Sequence, residues 1–128
     1  MRINYSSGSK WEEKFGYSRA VKINGNLYIS GTTSFNSSGE IVGIGDPYLQ
    51  TKQIILNIQN VLDQAGGKLD DIYRVRVFIT QADFSDEVLK AFSEHFIDIK
   101  PAATLVCISA LLIPEMLVEV EVDAFIGD

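Results

Sequence analysis

Apolar residues alternate with polar ones on both sides of Asn24-Gly25, over residues 20–31. Asn-Gly favours a two-residue hairpin turn because both residues tolerate a positive φ, so the pattern predicts two antiparallel strands. The polar, glycine-bearing stretch 32–45 follows them. It predicts a long loop with a short edge strand at 40–42.

A helical period of apolar residues occurs twice. Asp46 and Pro47 are typical of an N-cap followed by the first helical position, and apolar residues then recur at three-and-four spacing until a pair of glycines. This predicts a helix over about 47–65. A second stripe of this kind begins near 83–85 and has Pro101 as its upper limit, which predicts a second helix.

Three further segments are predicted strands, namely 72–80, which is rich in β-branched residues, 104–111 and 116–125. In the first of these, Arg74 and Arg76 lie on the face opposite the valines. The last segment places three acids on one face, Glu119, Glu121 and Asp123. We interpret them as a charge ladder neutralised by the arginines, with a hard-cation site or a general base as the alternatives.

The element order ββ-α-β-α-ββ predicts an α+β two-layer domain, with a mainly antiparallel sheet and two helices on one face. A chain of 128 residues fits one domain, 1–128. Two helices cover one face of such a sheet. The other face, with its arginines and acids, therefore meets water or another subunit, and oligomerisation is expected.

Composition narrows the classes of partner. There are 17 acidic and 11 basic residues, and a net charge of -6 disfavours nucleic acid. One cysteine and one histidine exclude an internal disulfide and the Cys₄ and Cys₂His₂ zinc sites. There is neither a signal-peptide pattern nor an apolar run of about 18 residues, so we expect no membrane partner and a cytoplasmic location.

The single histidine and cysteine are both interpreted as structural. His95 falls in the second predicted helix, with nothing that ties it to a nucleophile, so we expect it to be half-buried or at the helix surface. Cys107 falls within an apolar predicted strand, so we expect it to be buried as a small hydrophobic residue.

Several segments occur in an order that is typical of one family. They are 16–20 (GYSRA), 27–32 (LYISGT), 45–48 (GDPY), 53–66, 71–77 (DIYRVRV), 100–104 (KPAAT) and 114–121 (PEMLVEVE). Over about residues 10–126, the chain resembles the RidA/YjgF/YER057c/UK114 superfamily of reactive-intermediate deaminases.

The resemblance implies a chorismate-mutase-like α+β fold and a homotrimer whose sheets form an inner barrel. It also implies three clefts between subunits, each binding a small molecule, and no metal or organic cofactor. Members of the deaminase branch hydrolyse enamines and imines such as 2-aminoacrylate to a 2-oxo acid and ammonia.

The resemblance also assigns roles to individual residues. Glu119 matches the cleft glutamate that positions or activates the attacking water. Ser30 and Gly31 match the cleft wall, and Tyr17 matches the aromatic residue that closes over the ligand.

One position departs from the deaminase branch, whose Pro-Ala-Arg motif provides an arginine that clamps the substrate carboxylate. The motif here ends in Ala103, so we expect weaker binding of a carboxylate. Arg76 or Arg74, on another strand, is a hypothetical replacement for the missing cation.

Three functions stay open at this point. The first is metal-free hydrolysis of an imine, enamine or related reactive metabolite, with Glu119 and a bound water in the cleft. The second is a non-catalytic trimer that binds a metabolite or regulates, which the absent arginine favours. The third is the ribonuclease or translation-inhibitor activity attributed to some relatives, which the acidic charge disfavours.

Overall fold

The computed structural model describes residues 1–127, which form one six-stranded sheet and three α-helices. The strands are β1 (Arg2–Tyr5), β2 (Ala20–Ile23), β3 (Asn26–Thr32), β4 (Ile72–Ile79), β5 (Ala102–Cys107) and β6 (Val118–Phe125). The helices are α1 (Lys10–Phe15), α2 (Pro47–Ala65) and α3 (Ser85–Phe96).

The strands lie in the order β1-β2-β3-β6-β4-β5, and every neighbouring pair is antiparallel except β4 and β5. Asn24 and Gly25 form the turn of the β2-β3 hairpin, with φ of 52° and 79°. Asp46 caps α2, since its carboxylate accepts a hydrogen bond from the backbone amide of Leu49. The predicted hairpin and the first predicted helix are both confirmed.

The core lies between one face of the sheet and the helices α2 and α3. Valine and isoleucine side chains of β4 and β6 alternate with polar ones, and the apolar set is buried against the helices. The predicted α+β architecture, with a mainly antiparallel sheet, is therefore confirmed. The opposite face of the sheet, here called the open face, carries Arg74, Arg76, Glu119 and Glu121.

The N-terminal elements differ from the prediction, which contained neither β1 nor α1. β1 is a four-residue strand that is largely exposed, so it carries no buried alternation that a pattern search could detect. α1 spans only six residues, and its residue Glu12 is buried. Within the loop 32–45, the predicted edge strand is only a single bridge between Phe35 and Ile41.

The burial of Cys107 was predicted wrongly. The residue is exposed in this chain, at the end of β5. β5 is the outermost strand of the sheet, and most of its residues are exposed because no helix covers this edge. The strand also spans Ala102–Cys107, whereas the sequence predicts a strand over 104–111.

His95 is half-buried where α3 packs against α2, in agreement with its structural interpretation. Its Nε2 atom lies 3.0 Å from Nζ of Lys52, which also forms a salt bridge of 3.2 Å with Glu94. Burial and the Lys52 charge lower the pKa of His95. The neutral ring therefore accepts a hydrogen bond from the lysine.

Two features are absent from residues 1–127. No helix there has both the length and the apolar character needed to cross a membrane. No group of three or more His, Cys, Asp or Glu side chains in the same residues is arranged to hold a metal ion.

Candidate functional site

A bulge interrupts the pairing of β3 with β6, beside Glu119. Ile29 pairs with Val122, but Thr32 rather than residue 31 pairs with Val120, so β3 carries one extra residue. A bulge of this kind bends a strand and redirects the side chains around it. Ser30 and Gly31 both lie in this irregular stretch.

The carboxyl group of Glu119 lies directly over Gly31. Val118 and Val120 are fully buried, so the alternation of β6 places Glu119 between them on the open face. A Cβ atom added at Gly31 would lie 2.9 Å from Cδ of Glu119 and would overlap its Oε2 atom. Glycine is therefore the residue that leaves room for this carboxyl group.

The surroundings of Glu119 hold its pKa above the usual range. Partial burial is the main cause, and the charge of Glu121 acts in the same direction. The positive charge of Arg19 opposes both effects. A carboxyl group with a raised pKa takes up and releases protons closer to neutral pH, as a general acid or base must.

Arg19 completes this cluster, although the sequence analysis gave it no role. Its Nη2 atom donates a hydrogen bond of 2.7 Å to the carbonyl oxygen of Gly31. Its guanidinium carbon lies 5.9 Å from the ring centroid of Tyr17. The alternation of Tyr17 and Arg19 ahead of buried Ala20 is the sequence signal that could have identified it.

The segment that carries Tyr17 is held at both ends. Ser30 Oγ donates a hydrogen bond of 2.8 Å to the carbonyl oxygen of Ser18. The Glu12 carboxylate accepts hydrogen bonds from Ser6 Oγ, Ser7 Oγ and Ser7 N, and the Glu12 carbonyl oxygen accepts one from Tyr17 N at 3.1 Å.

A cavity of about 290 Å³ lies between β1 and α1, with Tyr17 in its lining. Tyr17 itself is 43% exposed, so it is accessible to a ligand.

Gln50 fixes the start of β6 and hence the approach to Glu119. This fully buried side chain donates hydrogen bonds to the carbonyl oxygens of Gly43 (3.1 Å) and Glu115 (2.9 Å). It also accepts one of 2.9 Å from the backbone amide of Leu117. The helix α2 thus anchors the loop that precedes β6.

Arg74 and Arg76 lie on the open face of β4, and neither of them is the register partner of Glu119. Phe78 is the residue of β4 that pairs with Glu119, whereas Arg76 pairs with Glu121. Arg76 Nη1 lies 3.5 Å from Oδ2 of Asp123, so it takes part in the predicted charge ladder.

Ala103 lies far from the cluster within one chain. It pairs with Val75, a core residue, and so belongs to the helix-side face of the sheet. Two strands, β4 and β6, separate β5 from β3, and three strand spacings amount to about 14 Å. A single chain therefore brings Tyr17, Ser30, Gly31 and Glu119 together but leaves Ala103 outside the group.

The fold and this cluster define a small α+β protein with a carboxyl group poised at a sheet bulge. The profile of the family described as Endoribonuclease L-PSP matches residues 9–126, and the chain belongs to this family. The resemblance to the YjgF/RidA/UK114 proteins is thereby confirmed.

Solved structures support the assignment. Rv2704, a member of the YjgF/YER057c/UK114 family from Mycobacterium tuberculosis, is 35% identical, with 98% of this chain and 99% of that chain covered and a TM-score of 0.88. YyfA of Yersinia pestis, a Rid-family protein of unknown function, is 35% identical, with 98% and 99% covered and a TM-score of 0.85.

Curated relatives give the same family. The uncharacterised protein SCO2049 of Streptomyces coelicolor is 35% identical over 121 residues, which are 94% of this chain and 90% of that protein. A RutC family protein of Pyrococcus abyssi is 34% identical over 110 residues, 85% of each chain.

Proposed function

We propose that this protein is a RidA-like homotrimer that hydrolyses imines and enamines in clefts between its subunits, with Glu119 as the catalytic acid and base. The observation that carries the proposal is the half-buried Glu119 carboxyl group over Gly31. Its raised pKa suits a group that must first accept a proton and then return it.

The reaction needs one water molecule. An enamine first takes up a proton from solvent at its β-carbon and becomes the iminium ion. Water then attacks the iminium carbon while the Glu119 carboxylate accepts a proton from it, and the C=N π electron pair moves onto nitrogen to give a neutral carbinolamine. Protonated Glu119 next donates to the amino group, the C–N bond breaks with its electron pair leaving on ammonia, and the hydroxyl group releases its proton to solvent as the C=O bond of the 2-oxo acid forms.

The other cluster residues would shape the cleft around this centre. Tyr17 would close over the bound molecule, and its exposure in the single chain is consistent with that role. Ser30 is held by Ser18 and would keep the cleft wall rigid. We propose no metal or organic cofactor.

The arrangement of β5 supports a cleft between subunits. β5 is an exposed edge strand, and unpaired edges of this kind are normally covered. We propose that a second subunit packs against this edge and completes the cleft. We propose a cytoplasmic location, where pyridoxal-phosphate enzymes produce such intermediates.

A non-catalytic, metabolite-binding trimer is the alternative that Ala103 favours, because the arginine clamp of the deaminase branch is missing. Cleavage of RNA, which the description of the family profile suggests, is disfavoured by the net charge of -6. True phosphate contacts would appear as RNA binding that falls steeply with salt.

The experiment is release of ammonia from freshly generated 2-aminoacrylate and other 2-imino acids. We expect Glu119→Gln to lower the rate by about 100-fold or more, within the usual range for loss of a general acid or base. Glu87→Gln, an exposed change on α3 with the same effect on net charge, is the matched control and keeps the native rate. A Glu119→Gln protein as active as the native one would refute the proposal.

A further inference from the structure

Arg19 has hydrogen-bond donors that the protein does not use. Its one side-chain hydrogen bond within residues 1–127 is the Nη2 contact with the carbonyl oxygen of Gly31. Its Nε atom is buried without a partner, and it forms no salt bridge with a carboxylate of the described chain. A guanidinium group has five N–H donors, and a buried donor without a partner is unfavourable.

The position of Arg19 directs these donors to the catalytic cluster. Ala20 is fully buried on the core side, so the alternation along the chain places Arg19 on the open-face side, with Glu119. Gly31 links the two residues, because its carbonyl oxygen accepts the hydrogen bond of Arg19 and its missing side chain leaves room for the Glu119 carboxyl group. The centroid of the Tyr17 ring lies 5.9 Å from the guanidinium carbon.

Arg76 and Arg74, the two replacements suggested by the sequence, are less suitable than Arg19 as a cation beside Glu119. Arg76 is already paired with Asp123, toward the far end of β6 from Glu119. Arg74 Nε is also buried without a partner, but the register partner of Arg74 is Asp123, at the same end of β6 and away from Glu119. Among these three arginines, Arg19 is the one whose charge acts on Glu119.

We propose that Arg19 binds the carboxylate of the substrate, in place of the arginine that is absent at Ala103. The inference rests on the proposed function and deepens it. The cation then comes from the same subunit as Glu119, next to β2, rather than from β5. The substrates are small 2-imino acids whose carboxylate contacts Arg19 while the imine carbon faces Glu119, and neutral imines are poor substrates.

The test is calorimetric binding of pyruvate, a stable 2-oxo acid, and of pyruvamide, its neutral analogue. One hydrogen bond between charged groups accounts for roughly 10- to 100-fold in affinity. We expect Arg19→Gln to weaken pyruvate binding by that factor and to leave pyruvamide binding unchanged. Arg2→Gln, on the exposed strand β1, is the matched control and keeps native affinity for both.

Three results would overturn the inference. They are native pyruvate affinity in Arg19→Gln, loss of pyruvate binding in Arg76→Gln instead, and a native protein that binds pyruvate no more tightly than pyruvamide. If Arg19→Gln does not fold, binding by Arg19→Lys tests the inference instead, because lysine keeps the positive charge but lacks the planar guanidinium fork. A loss of about fivefold or more for pyruvate alone supports the inference, and unchanged binding refutes it.

Hydrolysis by Glu119 and carboxylate binding by Arg19 can be refuted independently of each other. Arg19-dependent pyruvate binding without any release of ammonia would overturn the proposed hydrolysis and leave the binding role of Arg19 intact. Release of ammonia that depends on Glu119 but keeps its native KM in Arg19→Gln would overturn the role of Arg19 alone.

Discussion

Gly31→Ala is a small change that acts on the site through one contact. The added methyl group would overlap Oε2 of Glu119 and lie 2.9 Å from its Cδ atom, whereas ordinary contacts begin at 3.4 Å. The carboxyl carbon must therefore move by at least about 0.5 Å, the difference between these two distances. Gly31 does not have a positive φ, so alanine adds no backbone strain there.

The expected magnitudes for rate and stability differ. A misplacement of about 1 Å can lower a rate by about 100-fold, and we expect a loss of ammonia release near that value. Moving a side chain off its preferred rotamer costs about 1 kcal/mol, so the fold should persist. In a Glu119→Ala background the overlap disappears, and the same Gly31→Ala change should then cost nothing or stabilise slightly.

The assay combines the rate of ammonia release with the free energy of unfolding from urea titrations. Gly67→Ala is the matched control, because this glycine also lacks a positive φ and its added Cβ would meet Ile126 Cγ2 at 2.5 Å, with no cluster residue among its close neighbours. It should lower stability and leave the rate unchanged. A Gly31→Ala protein with the native rate, or the same stability cost with and without Glu119, would refute the reasoning.

Three further substitutions test how Gln50, His95 and Glu119 affect the stability of the fold. Gln50→Ala removes three buried hydrogen bonds at about 1 kcal/mol each, so urea titration should show a loss of about 3 kcal/mol; a loss below about 1 kcal/mol would contradict its anchoring role. The lowered pKa of His95 means that stability is lost as pH falls below its ordinary value of 6.5, and His95→Gln should flatten that dependence in unfolding curves from pH 5 to 7. The raised pKa of Glu119 has the opposite effect on stability. At pH values above the ordinary pKa of 4.5, the folded protein binds more protons than the unfolded protein, so stability falls as pH rises through that range. Glu119→Gln should remove this fall, and an unchanged pH dependence in either variant would reject the corresponding assignment.

The main elements could be predicted because local signals and packing agree in them. The Asn24-Gly25 turn, the Asp46 cap and the valine alternation of β4 and β6 each report a structure that the chain forms between near neighbours. The face of Arg76 and Glu119 followed from the same alternation. The family resemblance then supplied roles for Glu119 and Tyr17 that no periodicity contains.

The remaining features depend on contacts between distant segments. Gln50 looks like an ordinary polar helix position until α2 meets the loop before β6. The exposure of Cys107 depends on β5 being the outermost strand, which its apolar sequence does not indicate. Arg19 joins the cluster because the carbonyl oxygen of Gly31, in the bulge of β3, accepts a hydrogen bond from its guanidinium group.

The most direct measurement compares ammonia release by the native protein and by Ala103→Arg over the same panel of 2-imino acids. The account predicts that the native protein releases ammonia, and that restoring the family arginine at this position raises the rate by no more than a few-fold, because a carboxylate-binding cation is already present. A native protein without activity, together with substantial activity in Ala103→Arg, would contradict the account and identify a deaminase scaffold that now serves another ligand.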